Sequence, residues 1–140
     1  MVRFIKLLVL SALITIPYQS CELGEIISVD CSECYIDKPE WGAFEAEISL
    51  NQENPFVIIT TYLGNYEDNN VAFVDTAYSS NKLIWVNTNT KYTLKADYKK
   101  NGRTYYVVNG GRLKVRLNND TCDRPCYYIT GSRMDLRLKI

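Results

Sequence analysis

Residues 91–117, KYTLKADYKKNGRTYYVVNGGRLKVRL, carry the clearest structural pattern in the chain. Its first part alternates apolar and polar side chains with a period of two, which is typical of a strand with one buried face. Asn101-Gly102 follows, and this pair predicts a tight hairpin turn because both residues tolerate positive φ. A return strand is predicted over residues 103–108. Asn109-Gly110-Gly111 then predicts a second turn before a strand over residues 113–117.

The same period-two pattern covers most of the remaining chain, and no helix is predicted after the N-terminal signal. Further strands are predicted over residues 44–50, 55–63, 71–75, 82–86, 126–130 and 133–140, the last two as a hairpin about Gly131-Ser132. This spacing predicts an all-β fold, a two-layer antiparallel β-sandwich of about seven to eight strands. Residues 43–140 form the predicted domain, and residues 21–42 an irregular lead-in. The predicted core comprises Phe44, Ile48, Val57, Ile59, Leu94, Ala96, Val115, Leu117, Leu136 and Leu138.

Residues 1–20 have the features of an export signal. Arg3 and Lys6 give a positive start, and the apolar run over residues 7–16 is shorter than the roughly 20 residues that span a bilayer. The segment ending in Ser20-Cys21 resembles a lipobox, in which the Cys thiol receives diacylglycerol and becomes the mature N-terminus. Tyr18 departs from that pattern, but it also suits ordinary signal-peptidase cleavage poorly. Cys21 is therefore the predicted lipidation site.

The cysteine count supports this prediction. Five cysteines in an exported chain leave one without a partner, and a lipidated Cys21 accounts for it. The other four form two close pairs, Cys31 with Cys34 and Cys122 with Cys126. Disulfides between the pairs, disulfides within them, and a zinc or redox site are three alternatives. Bonds between the pairs are preferred because they would fix the lead-in to the domain, and the order of pairing stays open.

Composition argues against several functions. Removal of residues 1–20 leaves 14 basic residues against 16 acidic ones, so no nucleic-acid partner is expected. Histidine is absent, which removes the commonest general base and metal ligand. No motif of a serine hydrolase, a P-loop or a zinc protease occurs. The acidic turn at residues 65–70 lacks the closing glutamate of a calcium loop. No enzyme activity, cofactor or metal is therefore predicted.

Two surface features suggest modification or binding. Asp75-Thr76-Ala77 resembles the tripeptide at which Bacteroidota O-glycosylate exported proteins, which makes Thr76 a candidate site. Aromatic residues could build a platform on which sugars stack, or could instead be core and cross-strand pairs. These aromatic residues are Trp41, Trp85, Tyr98, Tyr105, Tyr106, Tyr127 and Tyr128.

Taken together, the chain resembles small Bacteroidota lipoproteins that carry an early Cys-x-x-Cys and a late Cys-Asp-x-Pro-Cys-Tyr. Here these are Cys31-Ser32-Glu33-Cys34 and Cys122-Asp123-Arg124-Pro125-Cys126-Tyr127, and the resemblance covers residues 21–140. It implies a transthyretin-like or immunoglobulin-like sandwich in the bacterial cell envelope, anchored by lipid with the outer membrane as the expected location. It supplies no activity.

The leading hypothesis is a non-catalytic, lipid-anchored envelope protein with a structural or protein-interaction role. Its partners would be the membrane, through the lipid, and another envelope protein. One alternative is a module that binds a glycan or another small ligand. Another is a periplasmic inhibitor of a hydrolase, which would need a protruding loop at residues 76–81 or 118–123.

Overall fold

The computed structural model describes residues 29–139, and these form an all-β sandwich as predicted. Two single-turn 3₁₀ helices, Cys31–Glu33 and Tyr66–Asp68, accompany nine strands in the described range. The strands are β1 Trp41–Glu47, β2 Val57–Leu63, β3 Val71–Ala77, β4 Asn81–Asn87, β5 Lys91–Lys100, β6 Arg103–Arg112, β7 Lys114–Asn118, β8 Cys126–Thr130 and β9 Arg133–Asp135.

The strands form two packed layers and a small extension. One layer is a three-stranded sheet in the order β4-β1-β9, and the other is a four-stranded sheet in the order β3-β2-β5-β6. Strands β7 and β8 pair with each other in a separate two-stranded sheet. All pairings are antiparallel except that of β1 with β9, which is parallel.

The parallel pair corrects the prediction of a terminal hairpin about Gly131-Ser132. Gly131 has a φ of 79°, and its neighbour Ser132 accepts a backbone hydrogen bond from Glu45 at 2.8 Å. The chain therefore leaves β8 at this point and crosses to β1. The hairpin was predicted from local turn residues, whereas the actual partner of β9 lies far away in sequence.

The hairpin of β5 and β6 confirms the turn predicted at Asn101-Gly102. Asn101 and Gly102 have φ values of 50° and 72°, so the chain turns there as predicted. The second predicted turn is wrong, because Asn109–Gly111 continue β6 opposite Tyr92–Leu94. A Cβ on Gly111 would lie 2.6 Å from the Met134 side chain. This glycine serves close packing of β6 against β9 and not a turn.

The core between the two layers contains most of the predicted residues. Seven of them are buried: Phe44, Ile48, Val57, Ile59, Leu94, Ala96 and Leu136. Leu138 is partly buried against this cluster. Two predictions fail, since Val115 is only half-buried and Leu117 is 51% exposed. Both lie on β7, which belongs to the separate two-stranded sheet and to neither of the two layers that enclose the core.

Tyr98 joins the two layers by hydrogen bonds within the core. Its hydroxyl donates to the carbonyl oxygen of Leu136 at 2.6 Å and accepts from the backbone N–H of Ser49 at 3.2 Å. Burial raises the pKa of Tyr98 above its ordinary value. Tyr98 was a candidate for a sugar platform, and the structure places it in the core instead.

Candidate functional site

Two disulfides fix the lead-in to the domain, and we call them the clamp. Cys31 pairs with Cys122 and Cys34 with Cys126, at Cα–Cα distances of 5.7 and 5.5 Å. The prediction of bonds between the two close pairs is confirmed, and the structure decides the order that the sequence left open. Each bond spans 91 or 92 residues of sequence, so each closes a long loop in the unfolded chain.

Local hydrogen bonds hold the lead-in side of the clamp in place. The Asp30 carboxylate caps the first 3₁₀ turn by accepting from the backbone N–H of Ser32 at 2.9 Å. The same carboxylate accepts from the Ser32 hydroxyl, and these bonds lower the pKa of Asp30. Tyr35 and Tyr127 exchange backbone hydrogen bonds of 2.8 and 2.7 Å. The lead-in thus adds one bridge to the free edge of β8.

Asn118 organises the other side of the clamp at the end of β7. Its side-chain amide donates to the Thr121 hydroxyl at 2.6 Å, and its oxygen accepts from the Thr121 backbone at 3.4 Å. Asn118 is itself buried. A buried amide with satisfied hydrogen bonds fixes a loop firmly. The segment that carries Cys122 is therefore held by β7 as well as by the disulfide.

The sulfur atoms of the clamp are close together. The Sγ atoms of Cys34, Cys122 and Cys126 lie within 4.8 Å of one another. Thiolates at such distances could hold a zinc ion, but disulfide sulfurs carry no thiolate charge to offer a metal. The arrangement therefore favours a structural crosslink over the zinc alternative.

The predicted lipidation site, Cys21, lies outside the described residues. Within residues 29–139 no helix has the length and apolar character that crossing a membrane would require. Membrane attachment through Cys21 thus stays a prediction.

Both tryptophans of the chain are exposed on the outer face of the three-stranded sheet. Trp85 on β4 lies opposite Ala43 on β1, and Trp41 lies two residues before Ala43 on the same side. The two indoles are therefore diagonal neighbours, for which Cα atoms lie about 7–8 Å apart. Trp41 is 59% exposed and Trp85 is 63% exposed. We call Trp41, Ala43 and Trp85 the indole face.

A network of charged side chains continues the same outer surface along β1 and β9. Arg137 binds Asp135 through two nitrogens at 2.8 and 3.0 Å, and it also contacts Glu47 at 3.1 Å. Lys139 adds a contact to Asp135 at 2.6 Å. The hydrogen bonds from Arg137 and then Lys139 hold the pKa of Asp135 well below its ordinary value of 3.8. The apolar indole face is thus bordered by a charged, hydrogen-bonding surface.

Tyrosines cluster on the opposite outer surface, that of the four-stranded sheet. Tyr66 contacts Tyr62 and Tyr106, with ring centroids 5.3 and 6.3 Å apart. Beneath them Lys95 pairs with Asp97 at 3.0 Å, and this hydrogen bond raises the pKa of Lys95. The predicted aromatic platform is therefore divided between two faces. The remaining candidates Tyr105, Tyr127 and Tyr128 are half-buried.

The other predicted surface features, Thr76 and the acidic turn at residues 65–70, lie on the side of the four-stranded sheet that carries the tyrosines. Thr76 lies on β3 opposite Ile58 and is half-buried, so its modification stays a prediction. In the acidic turn, Asp68 accepts hydrogen bonds from the backbone and side chain of Asn65 at 3.3 and 3.2 Å. This carboxylate caps a 3₁₀ turn, which accounts for its presence without a metal.

The sequence does not show the strand pairing that creates the indole face. Trp41 lies on the same face of β1 as Glu45 and Glu47, and Trp85 lies between the buried Ile84 and Val86. This parity alone indicates that each indole points outward. Only the pairing of β1 with β4 shows that they are neighbours.

No family model, curated protein or solved structure matches the chain. The geometry of the described residues is therefore the basis for a functional proposal.

Proposed function

We propose that this chain is an exported, non-catalytic module that is tethered to the cell envelope through lipid on Cys21 and binds saccharide on its indole face. The observation that carries the proposal is the exposure of both Trp41 and Trp85 on one face of a sheet. Large aromatic side chains that remain in water as neighbours are typical of binding surfaces.

The physical fit is between an indole ring and the C–H face of a pyranose. The face of an indole carries partial negative charge, and the C–H groups of a sugar present weakly positive hydrogens. Ala43 lies between the two indoles, and its small side chain leaves room for a sugar chain to lie across both rings. Asn87, opposite Trp41, and Glu45, opposite Leu83, are exposed on the same face. They could accept or donate hydrogen bonds to hydroxyl groups at the rim.

The position of the clamp supports the proposal that the chain is attached to the membrane through Cys21. Cys31 is fixed to the domain, and only ten peptide units separate it from Cys21. An extended chain of this length reaches about 35 Å. The sandwich would therefore be held near the membrane surface, and not at the end of a long flexible linker.

Tryptophan fluorescence tests the saccharide proposal directly, because the chain contains only two tryptophans and both lie on the indole face. The probes are soluble glucan, xylan, mannan and polygalacturonate. We expect one of them to change the emission in a saturable way. Trp41→Ala and Trp85→Ala should each weaken binding roughly 3–10-fold. Tyr106→Ala, which removes an exposed aromatic ring from the opposite face, is the matched control. Equal weakening by all three variants, or no binding of any probe, would contradict the proposal.

A protein partner on the four-stranded sheet is the second candidate function. Its outer surface exposes Ile58, Val74, Val108 and Tyr106, which is 60% exposed. A photo-crosslinker at Val74 should capture a discrete envelope partner in cells, whereas one at Leu83, which is exposed on the outer face of the three-stranded sheet, should not. Identical crosslinking at both positions would count against this candidate. The inhibitor alternative has no support, since β3 and β4 are joined by only residues 78–80 and Cys122 ties the other loop to the lead-in.

A further inference from the structure

A basic depression lies where β6 passes β9, and it is distinct from the indole face. It is an open hollow of about 460 Å³, within the range of ligand sites in proteins. The residues that line it include four basic ones, Lys91, Arg112, Lys114 and Arg133, and we call it the basic depression. No carboxylate is among its lining residues in the described chain.

Glycines form part of the floor of the depression. Gly110, Gly111 and Gly131 all line it. A Cβ on Gly131 would lie 2.8 Å from the carbonyl oxygen of Arg112, and Gly131 has a φ of 79° that side chains disfavour. Because β6 is an edge strand, alternate N–H groups point away from β5. The floor is thus backbone that a ligand can approach closely.

No carboxylate of the described residues pairs with these four basic side chains, and the Lys91 ammonium donates a hydrogen bond to the side-chain oxygen of Asn65. Lys91 and Arg112 lie directly opposite each other on β5 and β6, a like-charged arrangement that costs stability. Within residues 29–139, none of the four basic residues takes part in an ion pair. The chain as a whole has equal numbers of basic and acidic residues, so this is a local concentration of positive charge. A surface depression lined by one sign of charge attracts ligands of the opposite sign, here anions.

We propose that the basic depression binds the carboxylate or phosphate group of an acidic sugar unit. Two arginines can form paired hydrogen bonds with such a group, and the two lysines add charge. The volume is larger than a lone oxyanion needs and suits an anionic monosaccharide. The sugar part of this inference rests on the proposed function, whereas the anionic part rests on the basic depression alone. The chain would therefore prefer acidic glycans to neutral ones.

A pair of matched ligands and a pair of matched variants test the inference. Hexagalacturonate and its methyl ester share one backbone and differ in charge. Arg112→Gln with Lys114→Gln removes two charges from the depression. The control, Lys99→Gln with Arg103→Gln, removes two charges where β5 turns into β6, at the end of β6 opposite to Arg112. Calorimetry on the exported chain measures binding at low and high salt, and thermal unfolding verifies that each variant is folded.

We expect hexagalacturonate to bind at least tenfold more tightly than its ester, with an affinity that falls as salt rises. The Arg112/Lys114 variant should lose about tenfold for the acid and nothing for the ester, while the control pair should stay within twofold of the parent. Equal losses in both variants, or no preference for the acid, would overturn the inference. So would binding of phosphatidylglycerol vesicles through Arg112 and Lys114 without binding of the acid. If Trp41→Ala leaves the affinity for the acid unchanged, the indole proposal fails while the anion site stands.

Discussion

Removal of one disulfide of the clamp should cost far less stability than its loop length suggests. The perturbation replaces both cysteines of a bond, either Cys34→Ala with Cys126→Ala or Cys31→Ala with Cys122→Ala, so that no free thiol remains. A third variant carries all four substitutions. The two bonds are nearly parallel, since they join the same two segments at positions three and four residues apart.

The magnitudes follow from the loops that the bonds close. A single bond across 91 or 92 residues restricts the unfolded chain by about 4.6 kcal/mol in the loop-entropy model. Once one bond exists, the second closes a ring of only about nine residues, which is worth about 2.6 kcal/mol. Either single removal should thus cost about 2.6 kcal/mol, and the fourfold variant about 7 kcal/mol. The double loss exceeds the sum of the single losses.

Urea unfolding of a chain of residues 22–140, under non-reducing conditions, measures these free energies. The slope of the unfolding free energy with urea should rise when both bonds are absent, because the unfolded chain then expands. A loss near 4–5 kcal/mol for one single variant and almost none for the other would refute the reasoning. That result would mean that only one bond restrains the chain.

Three further predictions concern the core and the titrating groups. Leu94→Ala should lower the free energy of unfolding by about 2–5 kcal/mol because the side chain is buried in the core. Leu117→Ala should change it by less than about 0.5 kcal/mol because that side chain is exposed. Equal losses in urea unfolding would mean that Leu117 is buried in solution. Tyr98→Phe should cost about 1–3 kcal/mol at neutral pH, since the Ser49 N–H and the Leu136 carbonyl lose their partner. The raised pKa of Tyr98 contributes stability that is complete below its ordinary pKa of 10.0 and is lost as pH rises through the folded value, so the Phe variant should lose less stability in alkali than the parent. The lowered pKa of Asp135 contributes stability that is complete above its ordinary pKa of 3.8 and is lost as pH falls. Asp135→Asn should therefore flatten the decline in melting temperature below about pH 4. If the melting temperature of this variant falls with acid as steeply as that of the parent, the network around Arg137 does not stabilise the fold.

Local signals predicted the parts of the fold that local residues control. The alternation in residues 91–100 and the Asn101-Gly102 turn are sufficient to specify the hairpin of β5 and β6. Asn109-Gly110-Gly111 carries the same turn residues, yet it remains in β6, where it pairs with β5 and Gly111 lies against Met134. That contact joins distant parts of the chain, and no local pattern contains it.

The candidate sites show the same division between local and distant information. The two Cys pairs predicted crosslinks because an exported chain needs its lead-in fixed, but only the fold brings Cys31 to Cys122 and Cys34 to Cys126. The alternation of apolar and polar residues around Trp41 and around Trp85 indicates that both indoles point outward. That the two indoles are neighbours depends on the register of β1 with β4. The basic depression likewise assembles residues from β5, β6, β7 and β9.

The intact mass of the protein extracted from the envelope, measured without reduction, tests both the lipid tether and the two disulfides of the clamp. We expect a chain that begins at Cys21, carries added acyl mass and lacks four hydrogens because of its two disulfides. A full-length chain, or a chain that begins elsewhere without acyl mass, would contradict the tether. A mass with four further hydrogens would contradict the clamp.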